Sequence, residues 1–214
     1  PPITGMAGRG WNAAVDYSPN TNAQPVIVNL GANPIVVSGN VYGRGDETVN
    51  GGTALDGFDS DPVTPGVQPY TDTLSEVELA RGGAGNDYLA GGSHSQGATG
   101  VFVETFRGNA GNDTIDGSGS DTVIGAHGVT DRVEYANSLF AVVVNSGQSD
   151  ISGNFYGAGV ITVAGGTARD GFSSTGGGTD TLINIDVLRG SNFNDTLVGG
   201  NPKYDNNERF EGLA

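Results

Sequence analysis

The sequence predicts an all-β chain of short strands that turns continually, a β-solenoid. Three observations lead there. Glycine fills 38 of 214 positions, more than twice the roughly 7% usual in proteins. A block of residues recurs inside the chain at a fixed offset. The apolar residues come in short runs rich in Val and Ile, and no stretch has the 3.6-residue period and caps of a substantial helix.

Glycine excess alone also fits low-complexity disorder, but here the glycines are patterned. Residues 71–92, TDTLSEVELARGGAGNDYLAGG, align without gaps on residues 179–200, TDTLINIDVLRGSNFNDTLVGG, at an offset of 108 with 11 of 22 positions identical. The match extends upstream through Gly51–Phe58 and Gly165–Phe172, Val26–Asn29 and Val142–Asn145, and Val15–Ser18 and Val133–Ala136. Two units, near 12–92 and 131–200, are expected within one elongated solenoid spanning 1–214, with 93–130 as an insert rich in the shorter motif. The runs at 25–29, 141–145 and 160–163 read as short strands.

The shorter motif is G-G-x-G-x-D-x-U-x, where U is a large apolar residue. Residues 82–90, GGAGNDYLA, match it at every fixed position. Gly108-Asn109-Ala110-Gly111-Asn112-Asp113-Thr114-Ile115 follows it closely, and Gly117-Ser118-Gly119-Ser120-Asp121-Thr122-Val123 is a version one residue shorter. Glycine lets the backbone turn tightly and present its carbonyls. The aspartate adds a carboxylate, and the apolar residue starts a strand. Such a turn is half of a calcium site, because calcium needs 6–8 oxygens and stacked turns can share an ion. The candidate ligands are Gly82, Ala84, Gly85 and Asp87; Gly108, Ala110, Gly111 and Asp113; Gly119 and Asp121; and Asp72, Asp180 and Asp195, which recur 15 residues apart in the pairs Asp72/Asp87 and Asp180/Asp195. Phe193 stands where the turn before Asp195 wants glycine. Asp56 and Asp170, each before Gly-Phe, read as turn formers. Arg81, Arg107 and Arg189 precede the turns at equivalent places and are expected to pair with acids across coils. Trp11, Tyr17 and Tyr135 read as core or stacking aromatics.

Charge narrows the partners. With 24 acidic and 9 basic residues, a net −15, the chain repels nucleic acid and anionic lipid and suits hard cations. It has no cysteine, so disulfides and thiolate metal sites are excluded. No apolar run has the length of a membrane span. His94 and His127 form no zinc motif, and nucleophile-elbow and P-loop signatures are absent. Arg44-Gly45-Asp46 is a tripeptide expected by chance in so Gly- and Asp-rich a chain. Glu211-Gly212-Leu213-Ala214 reads as the opening of a further repeat, so a longer parent chain is expected.

With these motifs in hand, the sequence resembles the RTX, or haemolysin-type, calcium-binding repeat proteins, most strongly over 71–92, 106–125 and 178–200. The resemblance implies a right-handed parallel β-roll, several Ca2+ ions held between turns, and a secreted or cell-surface bacterial protein of structural or adhesive role. Because only Asp113 and Asp121 belong to adjacent nonapeptides, longer irregular turns and a few ions are expected, not a full ladder. A solenoid that binds glycans or neighbouring copies is the second reading. A polysaccharide lyase or epimerase is the third.

Overall fold

The computed structural model describes residues 3–4, 13–19, 24–42, 45–56, 70–92, 102–117, 129–157, 159–174, 176–200 and 208–213. Every regular element among them is a strand. In chain order these are β1 (Ile3–Thr4), β2 (Ala14–Asp16), β3 (Ile27–Asn29), β4 (Ile35–Val37), β5 (Glu47–Val49), β6 (Thr53–Leu55), β7 (Thr71–Ser75), β8 (Leu79–Arg81), β9 (Tyr88–Ala90), β10 (Phe102–Arg107), β11 (Thr114–Asp116), β12 (Val129–Glu134), β13 (Val143–Asn145), β14 (Ile151–Gly153), β15 (Ile161–Val163), β16 (Thr167–Arg169), β17 (Thr179–Ile183), β18 (Val187–Arg189), β19 (Thr196–Val198) and β20 (Arg209–Glu211). Short β-branched runs cut by Gly, Asn and Asp produce strands of this length.

The main chain passes to and fro between two sheets. One holds six strands in the order β2-β8-β10-β12-β18-β20, and the other ten in the order β1-β7-β6-β3-β9-β11-β17-β16-β13-β19. Every pair in the six-stranded sheet is parallel. The strands β8, β9, β10 and β11 alternate between sheets, with β10 stacking on β8 and β11 on β9. That is the local pattern the nonapeptide predicts.

The expectation of parallel pairing throughout, with merely longer turns, is corrected here. β6 pairs antiparallel with β3 and β7, and β16 pairs antiparallel with β13 and β17. Two hairpins, β4–β5 and β14–β15, stand off as separate two-stranded sheets. The cause is local. After β3 and β13 the chain makes a hairpin and returns through Gly51-Gly52 and Gly165-Gly166, where Gly52 and Gly166 have φ of +64° and +71°. A tight reversal suffices to join antiparallel strands, whereas a parallel neighbour needs a long crossover.

Between the two main sheets lies one apolar core. The six-stranded sheet contributes Val15, Ala80, Phe106, Val133 and Leu188, and the ten-stranded sheet Val28, Leu89, Ile115 and Leu182. Tyr17 and Tyr135 join this core as expected, and each aims its hydroxyl at an aspartate: Tyr17 donates to Asp72 (2.7 Å) and Tyr135 to Asp180 (2.9 Å). A smaller cluster of Ile27, Val37, Val49 and Leu55 lies with the β4–β5 hairpin.

Parallel register also stacks charges. One position of the six-stranded sheet runs Asp16, Arg81, Arg107, Glu134, Arg189 and Glu211. Arg81 bonds Asp16 at 2.7 Å, Arg107 bonds Glu134, and Arg189 reaches Glu134 at 2.8 Å and Glu211 at 3.7 Å. The three arginines therefore pair with acids across coils, as their place in the sequence predicts. Burial alone would raise the Glu134 carboxyl, but Arg107, Arg189 and Arg132 more than offset it and hold it below its ordinary value. Glu134→Gln removes the charge that Arg107 and Arg189 share, leaving Arg189 its longer contact to Glu211, and should cost about 2 kcal/mol. Urea unfolding should show the same loss with calcium and with chelator, since this row needs no ion.

Candidate metal centre

The aspartates of the turns are brought into one row by register. Ile27, Tyr88, Thr114 and Thr181 lie opposite one another in neighbouring parallel strands. One residue upstream of each stands Val26, Asp87, Asp113 and Asp180. Each carboxylate accepts the amide of the preceding coil: Val26 N–H donates to Asp87 Oδ1 (2.7 Å), Asp87 N–H to Asp113 Oδ1 (2.8 Å), and Asp113 N–H to Asp180 Oδ1 (3.1 Å). The row starts again beyond β16, where Val142 N–H donates to Asp195 Oδ1 (3.0 Å).

The second carboxylate oxygens differ, and that difference singles out one residue. Asp87 Oδ2 accepts from Gly83 N–H (2.6 Å). Asp195 Oδ2 accepts from Ser191 N–H (2.6 Å), and the Ser191 hydroxyl holds its Oδ1. In the turn of Asp113 the corresponding residue is Asn109, held at φ +72°. Asp113 Oδ2 is buried with no hydrogen-bond partner. Asp180 Oδ2 and Asp72 Oδ2 each take a tyrosine hydroxyl.

Two residues before each aspartate the backbone carbonyls also stack. A Cβ built on Gly85 would lie 2.5 Å from Gln24 O, one on Gly111 2.0 Å from Gly85 O, and one on Gly178 1.7 Å from Gly111 O. Only glycine permits this approach, and the result is a line of carbonyls beside the line of carboxylates. Gly82 and Gly108 are packed equally tightly, against Asp87 Oδ2 and Asp113 Oδ2 at 2.1 and 2.0 Å from their would-be Cβ atoms. Ala84 and Ala110 occupy matching half-buried places on the two turns.

Electrostatics describes the same row as short of positive charge. Burial pushes the Asp87 carboxyl up to about 7, although the Val26 and Gly83 amides pull it down. Burial raises Asp113 further, helped by the charges of Asp180 and Asp87. Asp180 is raised by burial, against the pull of the Asp113 amide. Buried carboxylates held this close need a cation or a proton.

The donor set fits a hard cation. Among the described residues, no three or more His, Asp or Glu side chains form a self-sufficient metal-ligand group. Backbone carbonyls must therefore supply much of any shell, as calcium accepts and zinc does not. The orphaned Asp113 Oδ2 and the glycine-lined carbonyls are the parts such a shell would use.

Several features were not foreseen. Asp170 keeps its predicted turn role, accepting Phe172 N–H at 3.0 Å, but it is also fully buried and lies against the same row. On the opposite bend, Glu78, Glu104, Asp131, Asp186 and Glu208 share one register position of the six-stranded sheet, just before β8, β18 and β20 and inside β10 and β12. Within this set Glu104 accepts Gly92 N–H, Asp186 accepts Asp131 N–H and Glu208 accepts Gly200 N–H. Asp131 holds the position next to Glu104 in the stack. Gly119 and Asp121 lie outside the described residues, as do Trp11, Arg44, His94 and His127. Phe193 is 47% exposed and stacks on Phe140 with centroids 6.5 Å apart.

A scan against protein families matches RTX calcium-binding nonapeptide repeats, in four copies, over residues 78–94, 99–128 and 184–201. The first two stretches contain Asp87 and Asp113, and the third contains Asp195. No curated protein and no solved structure was found to match the chain. These stretches carry the RTX, haemolysin-type, calcium-binding nonapeptide repeat.

Proposed function

We propose that this chain is a calcium-clamped structural module of an exported bacterial protein, a β-solenoid that becomes rigid once calcium fills its turns outside the cell. The observation that carries this reading is Asp113 Oδ2, a buried carboxylate oxygen without a partner in a turn lined by converging carbonyls. Asp87 and Asp113, with carbonyls from Gly82, Ala84, Gly85, Gly108, Ala110 and Gly111, would hold the ions. Asp180 belongs to the same row. Asp72 and Asp195, whose carboxylate oxygens are served by tyrosine, serine and backbone donors, would contribute less. Bound calcium supplies the positive charge that lets these carboxylates ionise in place. The apolar core and the arginine row provide a scaffold that needs no ion. A spacer or adhesive role at the cell surface follows from such a module, since rigidity appears only where calcium is plentiful.

Extracellular calcium modules bind at about 10⁻⁴–10⁻³ M, and at ten times the dissociation constant one site adds about 1.4 kcal/mol. Millimolar calcium should therefore raise the melting temperature of the whole chain by several degrees over chelator. Asp113→Asn should remove a large part of that rise while leaving the chelator melt as high as the wild type's or higher. Equal β-content and equal melting temperature with and without calcium would overturn the reading.

A further inference from the structure

Asp170 belongs to no nonapeptide. It follows β16, the antiparallel strand that interrupts the stack, and its Asp-Gly-Phe setting is that of an ordinary turn. The turn duty uses only one of its oxygens: Oδ1 accepts Phe172 N–H (3.0 Å) and Gly178 N–H (2.9 Å). The residue is 0% exposed; its Oδ2 makes no well-formed hydrogen bond, and the Gly111 amide comes near enough to favour the charged carboxylate without meeting that geometry. Turn formation does not explain a second oxygen buried and left over.

The surroundings of Oδ2 point to a ligand. A Cβ on Gly178 would lie 1.7 Å from Gly111 O and 2.8 Å from Asp170 Oδ2. A backbone carbonyl of one turn and a carboxylate oxygen of another segment thus come together against Gly178. The charge of Asp170 acts on both Asp113 and Asp180. Arg169 acts on Asp170 as a nearby cation, with its guanidinium donating to Thr179 Oγ1. The corresponding aspartate of the first unit, Asp56, shares the backbone bond, its amide donating to the Tyr70 carbonyl as that of Asp170 does to Gly178, but it is only half-buried.

We propose that Asp170 is a calcium ligand contributed from outside the repeat, closing the ion row with the Gly111 carbonyl where β16 and β17 break the parallel stack. This rests on the calcium reading above and extends it to a residue that the repeat pattern does not reach. It makes the antiparallel insertion part of the metal centre, and it makes the two units unequal, with the additional ligand in the second only.

The test is calorimetric titration of calcium into the whole chain for the wild type, Asp170→Asn and Asp56→Asn, with melting curves in chelator and in calcium. Asparagine keeps the Oδ1 that serves Phe172 and Gly178 and removes the charge. Asp170→Asn should lose one binding event or weaken it at least tenfold. It should melt no lower than wild type in chelator and several degrees lower in calcium. Asp56→Asn should titrate like wild type. Asp170→Ser, which keeps a turn acceptor without a carboxylate, should reproduce the loss and covers failure of the first variant to fold. A wild-type isotherm from both Asp170 variants would overturn the proposal and leave the module reading intact. A wild type that binds no calcium would overturn the module reading itself. An equal fall in melting temperature with and without calcium would mark Asp170 as a turn residue only.

Discussion

Stripped of calcium, the protein should be most stable near pH 4 and lose stability as the pH rises towards 7. The sign follows from Asp87, whose folded carboxyl is raised from 3.8 to about 7 by burial. A raised folded value means that the unfolded chain releases its proton first. Stability from the protonated form is complete below the unfolded value, declines above about 4 and is lost by about 7. At 1.36 kcal/mol per pH unit, Asp87 alone accounts for about 4 kcal/mol. Asp113, Asp180 and Asp170 are raised by burial too and act in the same direction. Below pH 4 the trend reverses, because partners that outweigh burial hold two carboxyls below their ordinary values, Glu134 through its arginines and Asp16 through Ser18 and Arg81, and protonation weakens those contacts. Saturating calcium selects the ionised carboxylates and should invert the slope between pH 4 and 7. Thermal melts across that range, with calcium and with chelator, decide the matter. General repulsion in so acidic a chain would also lower stability with rising pH, so Asp87→Asn is the control. It should flatten the chelator slope. A wild-type chelator melt that rises from pH 4 to 7 would refute the account.

The second large effect should come from a single methyl group. Gly111 has φ of +131°, and a Cβ there would lie 2.0 Å from Gly85 O and 2.8 Å from Gly85 C. Both neighbours are backbone of the adjacent turn, so relief requires the coils to separate or shift. Gly111→Ala combines backbone strain with overpacking and should cost roughly 3–5 kcal/mol. Because the carbonyl line would be displaced, calcium should no longer recover the loss. Gly212 has nothing within 4 Å of its would-be Cβ, and Gly212→Ala should change stability by less than about 0.5 kcal/mol. Urea unfolding of both variants in calcium checks the contrast. A Gly111→Ala protein as stable as Gly212→Ala would mean that the turns are not packed as described.

The sequence displays the parts of this structure that depend on fixed offsets. Asp87 and Asp113 lie at constant distances from their glycines, so stacking and the carboxylate row can be read directly. The arginine row is legible for the same reason. Strand direction is not, because a three-residue run such as Thr167–Arg169 has the composition of a parallel strand and only its partners make it antiparallel. The acids at the other bend, Glu104 and Asp131, lie inside β10 and β12 and keep no fixed offset from the preceding glycines of the motif. Asp170 was hidden by its own good local explanation. Its Asp-Gly-Phe setting specifies a turn, and nothing nearby announces that Gly178 will lie against its second oxygen.

The two main sheets do not keep step. In the six-stranded sheet β12 lies directly on β10, while in the ten-stranded sheet β17 and β16 stand between β11 and β13. With neighbouring strands about 4.8 Å apart, the same advance along the chain covers about 4.8 Å on one side and about 14 Å on the other. The stack must fan open like a keystone towards the ten-stranded side. β6 and β7 add the same pair beside β3, so the widening is built in wherever this arrangement recurs. A string of such modules would trace an arc, and its end-to-end reach would fall short of the summed length of its coils.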